Sequence, residues 1–217
     1  MTGDAVVGID VGGARKGFHA VCLRAGEFHS RTSSCVPGEI ADWCLAINAT
    51  AVAVDAPCSW SLSRHGRACE KSLAAEKISC FATPSEKVAR VKAWYEWMRN
   101  GASLYAALIP SFPLFDGRMS TRRACMETFP QAVACALAGR IVSAKQKRHE
   151  RAELLRSLGI DVSMLPNIDY IDAALCAVAA SSAYNGTFKA YGDATDGLIV
   201  VPKARSSASG NAKQHIR

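Results

Sequence analysis

The 217-residue chain contains no apolar run of the ~18–20 residues needed to cross a bilayer, which excludes a helical membrane span. Its first residues, MTGDAVVGIDVGG, carry an acid where a secretory leader carries a base, and their apolar stretch is short. The expectation is therefore a cytoplasmic protein. No two of the nine cysteines are spaced CxxC, the local arrangement of zinc sites and redox pairs. The count is odd and most lie among Ala, Val and Leu, so they are expected to be reduced thiols serving as small apolar filler. His19-x-x-Cys22 and His65-x-x-x-Cys69 are close His/Cys pairs, but each lacks two further ligands. There is no internal repeat.

What is present suits one α/β domain. Hydrophobic residues make up 49% and charged residues 21%, enough to bury a full core. The formal charge is +7, but four of those positive charges lie in residues 203–217, a segment without an acid, leaving +3 elsewhere. That balance suits a polyanionic partner and equally a solvated surface. The expected division is a domain over 1–202 and a basic, disordered tail over 203–217.

Ala5 to Val11 is a β-branched run broken by Asp10 and closed by Gly12-Gly13, the pattern of a central strand ending in a tight reversal. Strands at about 17–24 and 27–35 complete an antiparallel meander, and residues 38–48 have helical spacing. Thr50 to Ala56 is a second buried strand ending in an acid, Asp55, and stopped by Pro57. Thr83-Pro84-Ser85-Glu86 reads as a capping box with Thr83 as N-cap, opening a helix to about 108 with a possible break at Gly101. Segment 109–121 is loop-like. A short strand runs from Arg123 to Phe129. Helices follow at about 131–139, 148–158 and 169–183, then a final strand at 197–201. The order predicts a mixed five-stranded sheet with helices on both faces.

Four carboxylates occupy positions where an isolated anion is costly: Asp10, Asp55, Glu127 and Asp172. Buried carboxylates are normally paired or bound to metal. If these converge, their mutual repulsion favours a divalent cation, and hard oxygen donors suit Mg²⁺ or Mn²⁺. Such ions activate water at a phosphodiester. Each acid also has a local reading. Asp10 can bond the glycine turn, Asp55 can cap a turn, and Glu127 can be an exposed strand residue. Asp169 can be an N-cap with Asp172 at N3. Asp169 is kept as a further metal-ligand candidate.

The segments GIDVGGARKGFHAV, VAVDAP, ETFP, IDYIDAALCAVAA and DGLIVVP resemble the family catalogued as domain of unknown function 429, regarded as predicted nucleases of the RNase H-like superfamily. The resemblance spans about residues 1–202. VAVDAP and Glu-x-Phe-Pro are specific in combination; a strand Asp followed by glycines is not. Asp169-x-x-Asp172-Ala also looks like the terminal helix of bacterial Holliday-junction resolvases, where such acids bind metal. The resemblance implies an RNase H-like fold in which the strands of Asp10 and Asp55 are neighbours. The helix of Asp172 would cross their ends, packed closely through Ala173, Ala174, Ala177 and Ala180. Glu127, on the next strand, would complete the cluster.

Lys16, Lys147 and Arg151 are candidate phosphate contacts, although the basic run 145–151 also suits a solvated face. Arg64, Arg67 and Lys71 are placed to line the mouth. Trp60 can stack a base or pack, and Trp94, Tyr95 and Trp97 look like helix-packing residues, one of them exposed. The function expected is a metal-dependent nuclease acting on DNA or RNA, with a homodimer left open. A non-catalytic nucleic-acid- or protein-binding role is the alternative. Asp10-Val-Gly-Gly with Arg15-Lys16 also resembles the first phosphate loop of actin-like ATPases, but those need a second such domain and this chain has one copy.

Overall fold

The computed structural model describes residues 4–63, 66–119, 123–143 and 145–204. Arg64, His65 and most of the basic tail therefore lie outside the described residues. Three strands open the chain: β1 (Ala5–Val11), β2 (Phe18–Arg24) and β3 (Glu27–Ser34). They are followed by α1 (Pro37–Ala46), β4 (Ala49–Asp55), α2 (Ala68–Ala75), α3 (Glu86–Val91) and α4 (Glu96–Leu108). The remainder comprises β5 (Ala124–Glu127), α5 (Pro130–Ala138), α6 (Lys147–Ser157), α7 (Ile168–Tyr184), β6 (Phe188–Asp193) and β7 (Gly197–Pro202).

The strands form one mixed sheet in the order β3-β2-β1-β4-β5-β7-β6. It has seven strands rather than the expected five. β7 joins β5 in parallel at Glu127–Ile199, and β6 folds back on β7 as an antiparallel edge. The edge strand β6 escapes a hydropathy reading because Phe188–Asp193 is mostly exposed or half-buried, and only Tyr191 is buried. Helix α2 escapes it because eight residues offer few apolar positions, of which Cys69 and Leu73 are buried.

All seven residues of β1 are buried, as expected of a strand covered on both faces. Val7, Ile9 and Val11 belong to a core shared with Ile40 and Cys44 of α1 and Leu104 and Leu108 of α4. Val6, together with Ala51 and Ala53 of β4, faces the opposite core, built on α5, α6 and α7. Gly8 sets the approach of α7: a Cβ there would lie 2.0 Å from the Ala173 carbonyl oxygen and 2.0 Å from the Ala177 nitrogen. The small residues Ala173, Ala174, Ala177 and Ala180 are all fully buried against the sheet.

Two helix starts differ from expectation. Thr83 does not cap a helix; α3 begins at Glu86 after Ser85, and the Thr83 backbone N–H donates to Glu70 Oε1 at 2.9 Å. The chain breaks at Lys92, whose backbone is extended (φ −103°, ψ 120°), while α4 runs unbroken through Gly101. That glycine is a contact point: a Cβ would meet the Ala56 Cβ at 2.4 Å, so α4 lies directly against the residue after Asp55. Helix α7 is capped by Asn167, whose side chain accepts from the N–H groups of Asp169 and Tyr170. This frees Asp169 from capping and places Asp172 beyond the first turn.

All nine cysteines are free thiols. Burial pushes Cys22 up to about 11 and Cys69 to about 12, which keeps them protonated and inert. Among the described residues, no helix is long and apolar enough to cross a membrane.

Candidate metal centre

Strands β1 and β4 are parallel neighbours whose register pairs Asp10 with Asp55. Both acids therefore stand at the carboxyl end of the sheet, on the side covered by α7. Tyr105 Oη donates to the Ala56 carbonyl at 3.2 Å, holding the turn that follows Asp55. Asp169 and Asp172 enter from the start of α7, which the Gly8 contact brings down onto β1.

Asp10 is 6% exposed, and desolvation pushes its carboxyl up to about 7, against the pull of Lys16 and with the push of Asp172 and Asp169. Asp55 is driven well above the usual carboxylate range by desolvation, then by the neighbouring charges of Asp10 and Asp172. Asp172 is raised by desolvation, a rise opposed by Arg151. Three carboxyls that resist ionisation together are a site short of positive charge.

Lys16 supplies part of it. The β1–β2 reversal closes with Gly12 N donating to Gly17 O at 2.8 Å, and Gly17 takes the left-handed conformation (φ +65°). A Cβ on Gly12 would strike Lys16 Cδ at 2.5 Å, so the glycine lets this side chain fold back over the turn. Its ammonium lies 3.3 Å from Asp10 Oδ2 and 2.7 Å from Asp169 Oδ1. Lys147 Nζ is 4.0 Å from Asp172 Oδ2.

His19 joins this group without having been anticipated. The hairpin register pairs it with Asp10. Asp10, His19 and Asp169 each offer a ligand atom within 4.8 Å of the others. The Nδ1 of His19 is buried and has no hydrogen-bond partner among the described residues. Counting residues outward from the 12–17 turn would have found this pairing; scanning for neighbouring His and Cys did not.

Two expected site residues border the acid cluster but are held by other partners, although the charge of Glu127 still reaches Asp55. Glu127 is registered with Val54, one residue short of Asp55, so strand alternation turns it to the other face. Its carboxylate is held by Arg67, through Nη1 at 2.7 Å and Nη2 at 2.5 Å, and by the Cys58 N–H at 2.9 Å. Arg67 is 1% exposed and also bonds Glu70 Oε1 through Nε at 3.0 Å, so it is a buried strut rather than a residue of the mouth. Arg151 is 5% exposed, its guanidinium bonded to Asp172 Oδ1 and to Gln131 Oε1. It orients Asp172 and is not presented to a phosphate. Lys71 is exposed, and Trp60 is half-buried.

The acids Asp10, Asp55, Asp169 and Asp172 thus converge, with Lys16 and Lys147 at their rim. The family model for "Protein of unknown function (DUF429)" matches residues 8–196, which include every residue of this centre. The chain belongs to the DUF429 family. No curated protein and no solved structure matches it. What this DUF429 centre can do must be argued from its donors. Asp10, Asp169 and His19 stand close enough to share a divalent cation, and Asp55 and Asp172 act on Asp10 or on each other electrostatically, so the charge of such an ion would relieve the repulsion that Lys16 and Arg151 relieve only in part.

Proposed function

We propose that this DUF429 chain is a divalent-metal-dependent hydrolase of phosphodiester bonds in nucleic acid. The observation that carries the reading is the registered pair Asp10–Asp55, overlaid by Asp169 and Asp172 of α7. The order β3-β2-β1-β4-β5, with β2 antiparallel to its neighbours and α7 across β1 and β4, supports an RNase H-like arrangement of this half of the sheet.

Asp10, Asp55, Asp169 and Asp172 would hold Mg²⁺ or Mn²⁺, with His19 within reach of the same place. Bound there, the ion would supply a nucleophilic water near neutral pH and offset charge on the phosphate oxygens. The chain's own contributions follow from its geometry. Asp10, whose carboxyl is pushed up to about 7 in the metal-free protein, would release its proton on binding the ion. Lys16 and Lys147 are 45% and 46% exposed, so each ammonium can turn from its carboxylate to a phosphate oxygen. Arg151 fixes the rotamer of Asp172 from behind.

Titration with MnCl₂ by calorimetry tests the reading, alongside cleavage of labelled single-stranded DNA, RNA and duplexes. Saturable Mn²⁺ binding that Asp10→Asn abolishes, with turnover of at least one polynucleotide, is expected. A folded protein that binds no divalent cation sinks the proposal. The ion pairs of Lys16 and Arg151 with these acids favour a second reading, a non-catalytic nucleic-acid-binding domain in which the acids only order the strand ends. Retained polynucleotide binding without metal binding would select it.

A further inference from the structure

An arginine that meets a carboxylate commonly closes on it as a fork, two parallel N–H groups on two oxygens. Arg151 does not. Its Nη1 donates to Asp172 Oδ1, while its Nη2 donates to Gln131 Oε1 at 2.8 Å. Among the described residues, Asp172 Oδ2 takes part in no hydrogen bond, and Lys147 Nζ stands 4.0 Å from it. Arg151 and Asp172 are both buried, so little water competes for this geometry. The Nε of Arg151 is also buried and has no hydrogen-bond partner among the described residues. The guanidinium is therefore not placed for the greatest number of bonds, although an orphaned buried donor is costly.

Gln131 is what divides the fork. It is the second residue of α5, after Pro130, and its side chain is half-buried. Both ends of its amide are used: Oε1 accepts from Arg151, and Nε2 donates to the Val142 carbonyl at 2.8 Å. A donor on one side and an acceptor on the other permit only this orientation of the amide. The side chain is thus pinned between α6 and the segment that follows α5, with its oxygen held against Nη2. Nη1 and Nη2 are the two tips of an end-on fork, so the bond to Gln131 takes up the tip that would otherwise reach Asp172 Oδ2. A carboxylate gripped by both tips has both oxygens committed; one gripped by Nη1 alone keeps the second open.

We propose that Gln131 is a positioning residue of the metal centre: by holding Nη2 of Arg151 it keeps the arginine singly bonded to Asp172 and leaves Asp172 Oδ2 unclaimed for the divalent cation. The inference rests on the metal-dependent reading above, and adds to it a residue that acts only through Arg151. Without the Gln131 oxygen the fork closes, and two charge-assisted hydrogen bonds then compete with the ion for Asp172. Groups that orient a metal ligand in this way act on affinity without touching the ion.

The test is calorimetric titration of the full chain with MnCl₂ at one pH, with melts in EDTA to show that each variant is folded. Gln131→Met fills a similar volume and offers no oxygen, and Mn²⁺ affinity is expected to fall ~10- to 100-fold. Gln131→Ala serves the same purpose if methionine is not accommodated. Gln131→Glu keeps an acceptor for Nη2 and should bind Mn²⁺ in the wild-type range. Both Gln131→Met and Gln131→Glu lose the donor to Val142, so a merely structural role predicts that they fall together. Arg151→Lys keeps the charge and has no fork to close; in that background Gln131→Met should change Mn²⁺ affinity no further. A crystal structure of metal-free Gln131→Met should show Nη2 on Asp172 Oδ2. Equal Mn²⁺ affinity in Gln131→Met and wild type overturns the inference. So does an equal loss in Gln131→Met and Gln131→Glu, a loss that persists beside Arg151→Lys, or an Arg151 still singly bonded in the crystal. Each of these leaves the metal centre standing, because the wild type still binds. A folded wild type that binds no Mn²⁺ instead sinks the metal reading, and this inference with it.

Discussion

Asp10 and Asp55 are registered partners at the carboxyl ends of two hydrogen-bonded parallel strands. Directly opposed like charges destabilise a sheet. Here the conflict is eased by protonation, since burial holds Asp10 near 7 and Asp55 well above its ordinary range.

That displacement sets a pH dependence in metal-free protein. Asp10 binds its proton more tightly folded than unfolded, so its contribution to stability is fully present below about 4 and is lost as pH rises through about 7. Urea midpoints in EDTA should therefore fall between pH 5 and pH 8. Asp10→Asn, which cannot ionise, should flatten that part of the profile. An identical slope in both proteins would contradict the assignment.

Divalent cation should reverse the trend. An ion at 100 times its dissociation constant stabilises the folded state by about 2.7 kcal/mol. Protons compete for the same oxygens, so the gain in Tm with Mn²⁺ should be larger at pH 8 than at pH 6. Thermal melts at the two pH values, with and without 5 mM MnCl₂ (roughly 100-fold excess for a site of ordinary affinity), check this.

Arg67 and Glu127 form a buried pair, at 1% and 4% exposure. Arg67→Met removes the partner and leaves an uncompensated carboxylate, at an expected cost of about 3–5 kcal/mol in urea denaturation. Adding Glu127→Gln should restore part of that loss. An Arg67→Met protein as stable as the wild type would show that the pair does not organise the loop after β4.

Gly8 has no room for a methyl group, because the atoms it would meet are α7 backbone. Gly8→Ala should cost more than ~3 kcal/mol, above the usual range for overpacking, because backbone must move. It should also weaken Mn²⁺ binding as α7 lifts Asp169 and Asp172 from β1. Calorimetry on a variant that remains folded separates the two effects.

Much of this was legible along the chain. Asp10 interrupts and Asp55 ends a near-continuous apolar, β-branched run, and such a run marks a central strand covered on both faces. The repeated alanines of residues 173–180 marked a helix, and the family resemblance implied that it packs closely on the sheet. These features are local, and the energetic anomaly of a charge in an apolar run is visible without coordinates. The edge strand β6 and the short helix α2 were not legible, because their few buried side chains acquire meaning only against the sheet and helices they cover.

The sequence by itself determined that acids would sit at the ends of buried strands and that residues 169–183 would form an alanine-rich helix; that the helix lies near those acids was implied only by the family resemblance. Only the tertiary structure decided which of those acids meet. A register offset of one residue turns Glu127 to the opposite face and into the grip of Arg67, while hairpin pairing delivers His19 to Asp10. Both outcomes follow from hydrogen-bonded register between strands; for His19 that register is set by the neighbouring hairpin turn, but for Glu127 it relates segments about 70 residues apart that no local pattern encodes.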